Sequence, residues 1–89
     1  MLSKEVTVVN KLGLHARAAA KLVQLASRFQ SNVHVSKDGR EVNGKSIMGV
    51  MMLAASQHSN VTLTIDGEDE NDALNELETL FAARFGEDE

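Results

Sequence analysis

The amino-acid sequence predicts an α+β fold, with four strands in one sheet covered on a single face by three helices, in the order β-α-β-β-α-β-α. Two stretches repeat apolar residues at helical spacing: Ala19, Leu22, Val23, Ala26 and Phe29, then Ala73, Leu74, Leu77, Leu80, Phe81 and Phe85. The segments between and before them alternate apolar with polar residues, so each strand has one dry face and one wet face. Apolar residues make up 43% of the 89, and there is no cysteine, so packing must stabilise one small core unaided by disulfides.

The elements follow in order. Residues 5–9, EVTVV, alternate as a strand with Val6 and Val8 on one face. Asn10 to Gly13 reads as a loop, and the first helix runs from Ala16 to Phe29, starting near His15 just after the break at Gly13. Residues 32–37 form a second strand with Val33 and Val35 inward and His34 outward. Asp38-Gly39 is a hairpin signal, because a type I′ turn takes residues that tolerate positive φ. A short return strand at 40–43 leads to Gly44-Lys45-Ser46 and an apolar run from Ile47 to Ala55, with Ser46 where an N-cap belongs. Residues 60–65, NVTLTI, place Val61, Leu63 and Ile65 on one face. Asp66-Gly67 turns the chain into a last helix from about Asp69 to Phe85, whose acidic first turn suits the positive end of a helix dipole. The whole of 1–89 reads as one domain without repeat or linker, with 86–89 expected to fray.

Charge narrows the function. The net charge is −4, with 13 acidic residues against 9 basic ones, and the acids crowd the end of the chain. Nucleic-acid binding needs clustered Lys and Arg and usually stacking aromatics; this chain has three Phe and no Tyr or Trp. No apolar run approaches the roughly 20 residues that span a bilayer, and the N-terminus does not read as a signal peptide, so membrane insertion is not expected and the cytoplasm is the expected location.

Three places could carry chemistry. The first is Gly13-Leu14-His15-Ala16-Arg17. The opening N–H groups of a helix have no helical partner and form an anion site, and the positive pole there disfavours an extra proton on an imidazole. A neutral ring nitrogen beside such amides, with Arg17 nearby, suits transient phosphorylation of His15. Pattern alone leaves open a surface histidine that merely falls at a helix boundary. The second is the Met-rich run after Ser46, where Ile47, Val50, Met51 and Ala54 share a face and Met48, Met52 and Ala55 lie off it. Periodicity does not choose between an adaptable docking surface and plain core. Ser46 itself reads as a structural cap or as a regulatory phosphosite. The third is the remaining pair of histidines, His34 and His58, which have no partner at metal-ligand spacing. No metal site, P-loop or Ser-His-Asp arrangement is expected.

Asn10-Lys11-Leu12-Gly13-Leu14-His15-Ala16-Arg17-Ala18-Ala19 resembles the active-site segment of the HPr family, the histidine-containing phosphocarriers of the bacterial phosphotransferase system. Asn43-Gly44-Lys45-Ser46-Ile47-Met48 resembles the same family's serine-site segment, at the family's separation. The resemblance covers essentially the whole chain. It implies an open-faced β-sandwich, a four-stranded antiparallel sheet with three helices on one face. It implies that His15 accepts phosphate on Nδ1 from Enzyme I and passes it to a IIA-type protein. Arg17 and the backbone amides of Ala16, Arg17 and Ala18 would hold the phosphoryl oxygens. Ala16, Ala20, Ile47, Met48 and Met51 would dock both partners. No cofactor or metal is implied, the protein would act as a monomer, and a serine kinase or phosphorylase acting on Ser46 would regulate it in some members.

Two features complicate the resemblance. Many members carry proline where this chain has Ala18, which keeps an N–H and loosens the helix entry, so altered rigidity is expected without loss of function. The acidic ending Arg84-Phe85-Gly86-Glu87-Asp88-Glu89 and the opening Asn10-Lys11-Leu12-Gly13 lean toward NPr, the nitrogen-related branch, over sugar-transport HPr. The rival from another class is a non-catalytic regulatory module of the same fold, acting through protein contacts with His15 idle.

Overall fold

A computed structural model describes residues 1–89. The strands are β1 (Leu2–Thr7), β2 (Asn32–Lys37), β3 (Arg40–Asn43) and β4 (Asn60–Asp66); the helices are α1 (Ala16–Ala26), α2 (Ile47–Met52) and α3 (Glu70–Ala82). The chain order is the expected one. The sheet order, β1-β4-β2-β3 with every neighbouring pair antiparallel, makes an open-faced β-sandwich with the helices on one face.

Register places the core. Val6 lies opposite Val61, Val33 opposite Ile65, and Val35 opposite both Leu63 and Val42. Directly opposed residues share a face, so one side of the sheet is an apolar surface while Ser3, Thr62, Thr64 and Ser36 point to the other. Against the apolar side α1 sets Ala18, Ala19, Leu22 and Ala26, and α3 sets Ala73, Leu77 and Phe81, all buried. Asp38 (φ 52°) and Gly39 (φ 82°) both adopt the positive φ that the β2–β3 hairpin requires.

Element ends differ from the periodicity. The helix expected to reach Phe29 stops at Ala26, because Arg28 and Phe29 donate to Leu25 and Ala26, three residues back, which tightens the last turn. α2 stops at Met52 instead of Ala55 for the same reason: Leu53 and Ala54 donate to Val50 and Met51, and Ala54 turns left-handed at φ 49°. The first strand begins at Leu2 and ends at Thr7, since β4 extends its pairing to Leu2↔Ile65. α3 ends at Ala82, and Arg84 and Phe85 take positive φ in a short 3-10 turn that returns Phe85 to the core. Its ring meets Phe81 edge to face, with centroids 4.9 Å apart.

The tail expected to fray is tied down in this structure. The Lys11 N–H donates to Glu89 O, the Lys21 ammonium donates to Phe85 O, and Glu87 reaches back to His15 and Asn10. The left-handed turn at Arg84–Phe85 redirects the chain across the start of α1, and periodicity carries no sign of that reversal. Asp69 opens α3 as expected, as its N-cap with the carbonyl accepting the Ala73 N–H, and its side chain also ties the helix to the entry of β2. Its carboxylate accepts the Ser31 hydroxyl at 2.5 Å and the Gln30 and Ser31 N–H groups at 2.9 and 3.0 Å.

Candidate functional site

The site is built where the loop after β1 enters α1. Gly13 has φ +67°, and a β-carbon on it would stand 2.4 Å from Ala55 O. Only glycine permits that approach, and it lets the next residue, Leu14, donate its N–H to the same carbonyl at 2.9 Å. The side chain of Leu14 is buried, so His15 is delivered to the surface at the end of a fixed segment.

His15 occupies the N-cap position of α1 with an extended backbone (φ −72°, ψ −180°), and its carbonyl accepts the Ala19 N–H. Its side chain makes no capping bond. The amides of Ala16, Arg17 and Ala18 therefore form the first turn without helical acceptors and without a cap from the imidazole. Ala18 itself is fully buried, while Ala16 and Arg17 are exposed. Arg17 makes no ion pair, whereas nearby Lys11 is engaged by Glu89. The result is a shallow depression lined by His15, by Ala16 at the opening of α1 and by Arg17, which has no ion-pair partner. Such a set can hold a tetrahedral dianion against a nucleophilic nitrogen.

Two further residues complete it. Asn10, fully buried, donates from Nδ2 to Gly13 O at 2.8 Å and to Glu87 Oε1 at 3.1 Å. Glu87 Oε2 lies 2.5 Å from His15 Nε2, with the Glu87 side chain only 13% exposed. Burial pushes the Glu87 carboxyl up, but hydrogen bonds from His15 and Asn10 and the positive charge of Arg17 outweigh it and hold the group below the ordinary carboxylate value. Sequence reasoning missed both residues. The available signal was Phe85, the last apolar residue of the α3 stripe, which pins the chain two positions before Glu87.

The other candidates lie elsewhere on the fold. Ser46 caps α2, its Oγ accepting the Gly49 N–H at 3.1 Å. α2 buries only Val50 and leaves Met48 75%, Met52 60%, Met51 43% and Ile47 42% exposed. α1 packs against α2, Ala16 is exposed and Ala20 half-buried. His34 stays on the outer sheet face and His58 on a loop, both apart from the His15 depression. No group of three His, Cys, Asp or Glu side chains converges in a way that could hold a metal ion. No helix is long and apolar enough to cross a membrane.

Residues 2–83 match the family described as the PTS HPr component phosphorylation site. The chain belongs to the HPr family. Among HPr relatives, the phosphocarrier protein HPr of Xylella fastidiosa (strain Temecula1) is 64% identical over 88 residues, which is 99% of each chain. The phosphocarrier protein HPr of Cupriavidus necator is 60% identical over 89 residues, all of both chains. The crystal structure of HPr-C-His from Thermoanaerobacter tengcongensis superposes over the full length of both chains with a TM-score of 0.96 at 46% identity. The HPr fold thus extends through the C-terminal turn and tail that carry Phe85 and Glu87 here.

Proposed function

We propose that this HPr-family protein is a cytoplasmic histidine phosphocarrier of the phosphoenolpyruvate-dependent phosphotransferase system. His15 takes a phosphoryl group from Enzyme I on Nδ1 and hands it to a IIA-type protein. The observation that carries this reading is the placement of His15 at the N-cap of α1 with its ring free of the cap and Arg17 unpaired beside it. Transfer between two ring nitrogens needs little from the protein except alignment and charge neutralisation. The first-turn amides of Ala16, Arg17 and Ala18 and the Arg17 guanidinium supply donors for the equatorial phosphoryl oxygens.

Docking falls to the apolar surface beside the site: Ala16 and Ala20 on α1 with Ile47, Met48 and Met51 on α2. Exposed, flexible Met side chains repack against differently shaped partners, which suits a carrier that must engage a donor and an acceptor in turn. The carrier acts as a monomer. A kinase or phosphorylase acting on Ser46 would place a dianion at the edge of this surface, where the α2 amides accommodate it but an apolar partner does not. The naming of relatives at 60–64% identity as HPr supports the HPr branch over the nitrogen-related NPr branch.

The decisive experiment is labelling by Enzyme I and phosphoenolpyruvate, comparing the parent with His15→Ala. Acid-labile, alkali-stable phosphate on the parent and none on the variant is the expected result. Repeating it with Enzyme I of each branch assigns the branch. A folded parent that takes no label from either enzyme overturns the carrier reading in favour of a module that acts by binding alone.

A further inference from the structure

We propose that Glu87 is a positioning residue for phosphoryl transfer, holding the His15 ring in the tautomer that presents Nδ1 as the nucleophile and neutralising the ring once it is phosphorylated. This rests on the carrier reading above. The geometry is that of a carboxylate–imidazole pair: Glu87 Oε2 stands 2.5 Å from His15 Nε2. An ionised carboxylate only accepts hydrogen bonds, so Nε2 must carry a hydrogen, and of the two tautomers of the neutral ring the pair selects the one in which Nδ1 keeps its lone pair. The same logic governs other histidines oriented by an acidic partner, where loss of the carboxylate costs tautomer and alignment together.

The carboxylate is itself held. Its second oxygen accepts from Asn10 Nδ2, and Asn10 is fully buried and also bonded to Gly13 O, so the backbone that delivers His15 and the carboxylate that orients it share one anchor. On the other side Phe85 is buried two residues earlier, and its carbonyl accepts from Lys21. The groups facing this pair are Arg17 and Lys21 from α1, Lys11 from the preceding loop, and Asp88 and Glu89 from the tail. Glu89 is occupied by Lys11 through both its carboxylate and its backbone carbonyl, leaving Glu87 as the acid on the ring. The depressed protonation of Glu87 keeps it an acceptor throughout the neutral range.

In the step this assigns, the Nδ1 lone pair forms a bond to phosphorus while the phosphorus–nitrogen bond of the donor phosphohistidine breaks and its electron pair returns to the donor nitrogen. The hydrogen on Nε2 stays in place. The ring becomes a phosphoimidazolium, and its positive charge lies against the Glu87 carboxylate. On hand-over the same sequence runs in reverse toward the acceptor.

The test uses the full chain with isotope-labelled histidine. In the parent, the Nε2 hydrogen of His15 should appear as a slowly exchanging resonance, with Nδ1 showing the shift of an unprotonated nitrogen. Glu87→Ala should lose the protected hydrogen and slow phosphoryl uptake from Enzyme I by roughly tenfold or more, with an unchanged docking affinity. Glu89→Ala, which alters the same tail without touching the ring, should leave both readouts at the parent level. Glu87→Ala with parental uptake and a parental Nε2 resonance overturns the proposal while the carrier reading stands, and so does a Glu89→Ala protein as slow as Glu87→Ala. A parent that shows the protected hydrogen but takes no phosphate overturns the carrier reading and this role with it.

Discussion

Gly13 packs against the carbonyl of Ala55 so closely that a β-carbon would come within 2.4 Å of that oxygen. The contact holds the loop before α1 against the end of the α2 segment, and His15 follows two residues later. Gly13→Ala combines a left-handed backbone with a clash against backbone that has no flexible end to yield. We expect a loss of at least about 2 kcal/mol in urea denaturation, together with slower phosphoryl uptake in whatever fraction stays folded. A variant as stable as the parent would show that the loop relaxes without cost.

Phe85 ties the tail to the core. It is fully buried, sits at φ 55°, and meets Phe81 edge to face. Phe85→Ala should cost about 3–5 kcal/mol and release Glu87, so chemical denaturation and proteolysis of the last residues should change together. Destabilisation with the tail still protected would mean that Lys11, Lys21 and Asn10 hold it alone.

Ser46 separates capping from charge. Ser46→Ala removes the acceptor for the Gly49 N–H and should cost about 1 kcal/mol, the usual worth of an N-cap. Ser46→Asp keeps a capping oxygen, so its stability should match the parent while phosphoryl uptake slows, because a charge now borders the exposed α2 surface. A Ser46→Asp protein that is charged at the parental rate would sink the regulatory reading of this position.

Asp69 predicts an acid dependence. The Ser31 hydroxyl first, then the Gln30 N–H, hold its carboxyl below the ordinary value of 3.8, against some opposing desolvation. A depressed carboxylate contributes stability that is complete above its unfolded value and is lost as pH falls through its folded one. Glu87 shifts in the same direction. The denaturation midpoint should therefore fall as pH drops below the carboxylate range. Asp69→Asn should be less stable than the parent at neutral pH, with the difference shrinking through that window. A difference that stays constant from neutral pH to pH 3 would contradict the linkage.

Part of the site was legible because its cause is local. The break at Gly13, the histidine at a helix start, the arginine two residues on and the capping position of Ser46 all depend on neighbours within one turn of chain. The strands were legible through alternation, and the helices through their stripes. Their ends were not, because a tightening from α to 3-10 bonding or a left-handed residue such as Ala54 leaves no mark in a hydrophobic pattern.

The sequence by itself determined the element order, the faces that go inward, and the place of a histidine at the opening of the first helix. Tertiary structure alone decided the strand order β1-β4-β2-β3, the union of Asp69 with Ser31, and above all the meeting of Glu87 with His15, 72 residues apart. The physical reason is that periodicity reports which side of an element avoids water, and it carries no information about which distant polar group comes to rest against a given ring. That pairing arises only after Phe85 is buried and the chain has turned back over α1, so an acidic ending with the composition of a solvated tail becomes part of the site.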